Sequence, residues 1–502
     1  MMVSLSTHLW FTVLVFVGLS GGFRASNGWI GIGFAEAQAQ AEASSSSSTS
    51  SSSSFQKSSS SSSSSEVILL APPASDYDYY DGMRSHIFDF TAQWYLKAVK
   101  NNDLVIIAAH NSKRESIAEA DDGAYVEMKK RGVPTSALLH AKLFDIWARD
   151  FLMTDLGRNR TAKFRYDPTY INIMEARYIR NSADIAAREW SLPGLLTFDN
   201  LVLDGGGIAV DADGKRAVVT ERVLKDNPWL IGREGQDGYA RGPANPNEGQ
   251  VSIPYPNIEI NAADLQLGAS ALERKLGLER VAIIPEERLA PRLGHVDGLV
   301  GWLAPGVLAL SNFSSPSDWT LYESTLRSRF GDAVKIVAFP YEPTDDVWKK
   351  DGFESAAGIY VNFVRTKNAV YVPTFAAAGG GGGGGGDAKD SRFIASDELA
   401  LRVAEQHAGV PAVAIDASEV SIMGGSVRCL SMHLSGVDAA HMLQLANDTS
   451  RTQRPTAYQQ DGVHGKTWSS SASSKKAHLP ILIILGTIAT TIAAAPAASS
   501  KP

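Results

Sequence analysis

Four short stretches of the chain gather residue types that can do chemistry: Asp145-Ile-Trp-Ala-Arg-Asp150, Asp204-Gly-Gly-Gly207, Gly294-His-Val-Asp-Gly298 and Gly424-Gly-Ser-Val-Arg-Cys429. Together they supply a nucleophile, an acid/base and groups that bind a cation, and their glycines let a ligand approach the backbone. Each residue also has a plainer reading: Asp204 caps a turn, His295 is a satisfied core histidine, and Asp150 pairs with Arg149 or another surface base. Cys429 is the only cysteine, so neither an intramolecular disulfide nor a cysteine-based zinc cluster can form. A lone thiol is either apolar filler or reactive. No acidic cluster has the spacing of a calcium loop.

These stretches need elements to position them. Five helical stretches run to a glycine, at Gly132, Gly194, Gly277, Gly331 and Gly409, and apolar segments follow, among them LVLDG, VAIIP, KIVAFP and PAVAID. Glycine just past a helix takes the left-handed conformation that ends it, so each stretch reads as a helix feeding a strand. Hairpins are expected in IAVDADGKRAVVT, turning at Asp213-Gly214, and in YVNFVRTKNAVYVPTF, turning near Lys367-Asn368. Helix, strand and hairpin recurring about five times predict a repeated α/β unit, which an α/β propeller would fit, rather than a doubly wound sheet. An irregular α/β domain is the alternative. Eight consecutive glycines, Gly379 to Gly386, lack the Lys and Ser/Thr of a phosphate loop and read as an insertion.

Composition sets the frame around this core. Residues 1–28 hold an apolar run, LWFTVLVFVGL, and read as a signal peptide or leader; 29–65 form an Ala/Gly- and Ser-rich linker. Residues 66–450 are the catalytic domain, 451–478 a polar linker, and 479–502 an apolar tail read as a GPI signal or a membrane span, the sequence's route to membrane attachment. The leader points to the secretory pathway, with a secreted or surface-anchored product, or to an organelle. With 44% hydrophobic residues the core can fold. A net charge of −7 without a basic block gives a nucleic-acid partner no support, and a cationic or neutral substrate fits better.

WARD, DGGG with its hairpin, GHVD, YVNF with VPTF, and GGSVRC resemble, in that order, the agmatine deiminases and the Porphyromonas-type peptidylarginine deiminases of the pentein superfamily. The resemblance covers about Leu104 to Leu430. It implies a five-bladed propeller with the active site at its pseudo-symmetry axis, and hydrolysis of a guanidinium to a ureido group with release of ammonia. It also implies roles. Asp150 and Asp297 hold the planar guanidinium by charge-assisted hydrogen bonds, and Cys429 attacks as thiolate. His295 protonates the leaving ammonia and then activates water, while Asp204 orients His295. Trp147, Arg149, Gly206 and Gly425 fall beside these groups as substrate-binding positions. No metal or cofactor is required.

The chain departs from its relatives where Phe151-Leu152 replaces a common Gly-Pro, where Ser426 and Arg428 alter the common GGGNIHC, and where Asp204 replaces a common Glu. These changes leave substrate choice open between agmatine, whose deimination gives N-carbamoylputrescine on the way to putrescine, and peptidyl-arginine, whose deimination gives citrulline. A non-catalytic surface-binding propeller, a papain-like protease, and a metal hydrolase built from His295, Asp297 and His433 are the rival readings. Oligomeric state is not legible.

Overall fold

The computed structural model describes residues 65–74, 77–110, 123–233, 258–286, 294–348, 350, 352–376 and 393–451. The leader, nearly all of the serine-rich linker, the Gly379–Gly386 run and the apolar tail lie outside the described residues.

The first sheet contains β1 (Glu66–Leu70), the helix α1 (Arg84–Lys100), β2 (Leu104–Ala109), the helix α2 (Ala124–Lys130) and β3 (Leu138–His140), with the three strands parallel. A short helix, α3 (Ala148–Phe151), opens the second sheet of β4 (Thr154–Asp155), β5 (Thr161–Arg165) and β6 (Leu195–Val202), crossed by α4 (Ile173–Trp190). The third has β7 (Ile208–Val210), β8 (Arg216–Thr220) and β9 (Arg280–Ile284), linked through α5 (Arg222–Asp226) and α6 (Ala262–Leu276). The fourth has β10 (Val300–Ala304), β11 (Val307–Ser311), α7 (Pro316–Phe330) and β12 (Lys335–Phe339). The fifth has β13 (Val364–Arg365), β14 (Val370–Thr374), α8 (Ile394–Ala408) and β15 (Ala412–Asp416). Finally β16 (Ser431–Ser435) returns to pair antiparallel with β1, and α9 (Gly436–Arg451) follows.

One pattern therefore builds all five sheets: an antiparallel pair, then a helical crossover to a strand parallel with the second. In the first sheet the antiparallel partner comes from the far end of the described chain. Parallel strands beneath a crossover helix are covered, which is why β8, β9, β11 and β14 carry nearly continuous apolar, buried runs. Val218, Val219 and Ile284 are fully buried, and burial of each such side chain stabilises by roughly 1.5–3 kcal/mol, which anchors the strands from which the loops project. No helix among the described residues is long and apolar enough to cross a membrane.

Three expected helix ends hold. Gly277, Gly331 and Gly409 are the C-caps of α6, α7 and α8, all with positive φ. Both hairpins turn where expected, with Gly214 at φ 65. The end at Gly132 holds as well, since α2 stops at Lys130, Gly132 has φ 85 and β3 follows; the expected end at Gly194 needs correction. Ser191, at φ 46, ends α4, and Gly194 comes only after Pro193. The stretch ending at Gly132 is α2, which feeds the edge strand β3; the crossover of the first sheet is α1, which ends at Asn101 with Asn102 at φ 63. Asparagine tolerates that conformation because its short side chain can hydrogen-bond locally, so the glycine signal missed this helix.

Candidate active site

The chemical residues share one structural address. Asp150 precedes β4, Asp204 and Gly206 precede β7, His295 and Asp297 precede β10, Asn362 precedes β13, and Cys429 precedes β16. Each of the five sheets thus presents polar groups from the loop that enters its first antiparallel strand. Those loops are tied to one another. Gly206 donates its N–H to Asp150 Oδ1 at 3.0 Å and accepts from the Val296 and Asp297 N–H groups at 3.0 and 3.2 Å. Arg149 N–H donates to the Cys429 carbonyl at 3.1 Å.

Gly206 has no room for a side chain. A Cβ there would lie 2.6 Å from both Asp150 Oδ1 and His295 Nδ1, so only glycine lets these two groups approach. At Gly425 a Cβ would meet the Trp147 ring at 2.4 Å and Cys429 Cβ at 3.0 Å, so the indole packs on that turn.

The thiol sits in a defined cradle. Asn362 Nδ2 donates to Cys429 Sγ at 3.1 Å, and Asn362 Oδ1 accepts from the N–H groups of Arg428 and Cys429 and from the Ser426 hydroxyl. Asp297 Oδ2 lies 3.7 Å from the sulfur. On the other side of the pocket, His295 Nε2 is 3.3 Å from Asp204 Oδ2, which also accepts from the Tyr170 hydroxyl at 2.7 Å. Asp150 Oδ1 lies 3.9 Å from His295 Nδ1. The imidazole is held between two carboxylates.

Burial works against the charge of His295, but Asp150, Asp204 and Asp297 outweigh it and raise the imidazole to about 9. Burial raises Asp150, the His295 charge opposes it, and the neighbouring carboxylates of Asp297 and Asp204 raise it further. Burial also pushes the Cys429 thiol well up, and Asp297 and Asp150 push the same way, against the hydrogen bonds from Ser426 and Asn362. The pocket thus concentrates negative charge around a protonated histidine and a thiol. A cation placed among these groups would lower the thiol and stabilise the carboxylates together.

Asp150, Trp147, His295 and Cys429 line a cavity of about 600 Å³, including its open mouth, with Tyr77, Tyr79, Tyr80, Tyr166, Tyr170, Phe353, Asp145 and Glu175. Asp297 is buried against the sulfur, and Asp204 stands behind His295. Arg149 is set apart. Its Nη2 donates to the Ile208 carbonyl at 2.6 Å, and its side chain lines a second cavity with Arg428 and His433. His433 therefore does not converge with His295 and Asp297, which dismantles the metal triad. Asn362 and Tyr170 are the functional residues that sequence reasoning left without a role. The YVNF motif held the signal for Asn362, whereas Tyr170 lies in a loop with no motif of its own. Phe151 and Leu152 are buried core residues.

Comparison with known proteins agrees with this arrangement. The profile of the Porphyromonas-type peptidyl-arginine deiminase family matches residues 264–434. An agmatine deiminase of C. jejuni superposes with a TM-score of 0.50 at 15% identity, over 74% of this chain and 93% of that one. A crystal structure of a candidate peptidyl-arginine deiminase superposes with a TM-score of 0.50 at 17% identity, over 73% of this chain and 95% of that one. No curated protein matches. The family and its neighbours are hydrolases of the C–N bonds of amidines. With the motifs, the five sheets and the pocket on one side and these relatives on the other, the chain is recognised as similar to the agmatine deiminases and Porphyromonas-type peptidyl-arginine deiminases, with an α/β pentein fold.

Proposed function

We propose that the protein hydrolyses the guanidinium group of agmatine to a ureido group, giving N-carbamoylputrescine and ammonia, and that its five sheets are the blades of a propeller around the reaction site. The lining of the pocket carries this reading. Its ionisable members are Asp145, Asp150, Glu175, His295 and Cys429 besides the tyrosines; the rest is mostly aromatic, and no lysine or arginine lines it among the described residues. Such a lining suits a cation at both ends. It offers the guanidinium two carboxylates, and it offers a distal ammonium Glu175 and tyrosine faces. The carboxylate of free arginine would meet like charge.

The reaction follows from the groups in place. With the guanidinium against Asp150 and Asp297, its charge favours the Cys429 thiolate. The sulfur attacks the central carbon, and the C=N electron pair moves onto nitrogen. His295, already protonated near neutral pH, gives its proton to the departing nitrogen, the C–N bond of the tetrahedral adduct breaks, and ammonia leaves behind a cationic thiouronium. Neutral His295 then takes a proton from water, whose oxygen adds to the same carbon. The C–S bond breaks, the thiolate returns, and the proton lost from the new hydroxyl leaves with ammonia as ammonium. Asp204, steadied by Tyr170, keeps the imidazole aimed through both proton transfers.

Peptidyl-arginine is the second reading, favoured by the family profile over residues 264–434. The test is ammonia and ureido product from agmatine, free arginine and an arginine-containing peptide, with wild type and Cys429→Ala. Turnover of agmatine that vanishes in the variant is expected. Turnover of the peptide alone would transfer the reading to protein substrates, and no turnover of any guanidine by folded protein would sink it.

A further inference from the structure

On the other side of the thiol layer lies a second cavity of about 800 Å³, including its mouth, lined by the first antiparallel strand of every sheet. It holds three arginines, Arg149, Arg365 and Arg428, with Glu66, Asp155, Asp211 and His433. Each carboxylate has a donor: Glu66 accepts from the Lys367 N–H at 2.6 Å, Asp155 from the Gly157 N–H at 2.7 Å, and Asp211 Oδ2 from Arg216 at 2.8 Å, while Asp211 Oδ1 is buried without a partner. The guanidiniums are only partly engaged. Arg149, only 6% exposed, has a buried Nε without a partner, and so has Arg365. Arg428 makes no side-chain hydrogen bond or ion pair among the described residues. Burial lowers both Arg149 and Arg428, and each of the two is pulled back up by the Asp297 and Cys429 charges.

The cavity is graded along its length. Arg149 bonds to Ile208 at the start of β7, whereas Asp211 stands just past that strand's end. Arg428 precedes β16, whereas His433 lies in its middle. Arg149 and Arg428 therefore occupy the end beside the thiol, and the carboxylates the other. We propose that this inner end is a binding site for a small oxyanion, phosphate or carboxylate, held by Arg149 and Arg428 with Arg365 toward the mouth. A planar guanidinium presents paired N–H donors that match two oxygens of such a group. Arg149 adjoins Asp150 in the chain, and Arg428 adjoins Cys429. An anion bound there lies behind the nucleophile and disfavours its thiolate, so the site also restrains the reaction pocket.

The test needs no assumption about substrate. Full-length protein is titrated calorimetrically with inorganic phosphate, and separately with acetate, against potassium chloride of equal ionic strength. One saturable site per chain for phosphate, acetate or both is expected, weakened at least about tenfold in Arg428→Gln and in Arg365→Gln, as loss of a charge-assisted pair implies. Binding of phosphate alone would assign a phosphate group, and binding of both any oxyanion. Heats indistinguishable from chloride, or binding unchanged in both variants, would overturn the proposal. Should neither variant fold, alkylation of the single cysteine by iodoacetamide decides: a slowing of roughly 3–10-fold by the saturating anion, a thiol shift of about half to one unit, supports the site, and an unchanged rate removes it.

Discussion

The two cavities differ in charge although the same short loops build both. One is acidic and aromatic, with a thiol and a protonated histidine; the other sets three guanidiniums beside three carboxylates and a histidine, with Arg149 and Arg428 at the end nearest the thiol. The division falls between chain neighbours. Asp150 faces the reaction pocket and Arg149 the second cavity; Cys429 faces the pocket, and Arg428 the second cavity. Arg149 and Asp150 share the short helix α3, and Arg428 and Cys429 share the turn before β16, so neighbouring side chains diverge and a dipeptide of opposite character is enough to give the two sides opposite chemistry. On the proposed reading, the arginines favour negative charge on the thiol side without touching the substrate, and the carboxylates supply the contacts that bind a cation.

The comparison is broken most severely at Asp297. This carboxylate lies 3.7 Å from the sulfur and is almost fully buried, so Asp297→Asn keeps the shape and removes one of the two charges that hold the guanidinium. The expected loss in kcat/KM for agmatine is about 10³-fold, the scale on which a buried group made for the transition state contributes. Circular dichroism should show an unchanged fold. Retention of a tenth or more of the activity would mean that Asp297 serves the thiol's structure rather than the substrate.

Asp204 comes next. Its hydrogen bond and charge are among the causes that raise His295 to about 9 against the lowering effect of burial. Because the folded value lies above the ordinary one, the imidazolium is present below about pH 9, and the leaving ammonia loses its acid as pH rises through that value. Stability linked to this group has the same sign: fully present below about 6.5, lost through 9. Asp204→Asn should move the alkaline limb of the kcat/KM profile toward neutral pH and lower the maximum by about 10²-fold, the lower end of the range of general acid–base catalysis. An unmoved limb would assign it to another group.

Why some of this was legible in the sequence, and some not, follows from how local each signal is. Hairpins and helix C-caps are set by residues next to one another, and Gly214, Gly277, Gly331 and Gly409 marked them correctly. Motifs located the loops that carry Asp150, Asp204, His295, Asp297 and Cys429, because glycines must flank groups that pack as closely as Gly206 does against Asp150 and His295. Which side of the loop layer a residue faces is a different matter. Arg149 looked like a substrate contact because it adjoins Asp150, and only its direction from α3, fixed by its bond to the Ile208 carbonyl, turns it away. The pairing of β16 with β1, between residues far apart in the chain, left no local trace. Tyr170 was invisible for the same reason, since its partner Asp204 is supplied by another loop.

The smallest expected effect concerns the far end of the reaction pocket. Glu175, on the first turn of α4, is half-buried and accepts from the Tyr77 hydroxyl at 2.9 Å, and Asp145, raised by burial to about 7, accepts from Tyr80. If this end takes the ammonium of agmatine, Glu175→Gln should raise KM for agmatine by about 3–10-fold with kcat little changed, the worth of one partly exposed ion pair. Butylguanidine, which keeps the guanidinium and lacks the ammonium, separates this contact from general electrostatics. Its KM should be the same for wild type and variant, because its apolar end makes no ion pair to lose. Equal loss on both substrates would show that Glu175 acts through the shape or field of the whole pocket, and the contrast between an acidic binding side and a basic supporting side would then rest on Asp150 and Asp297 alone.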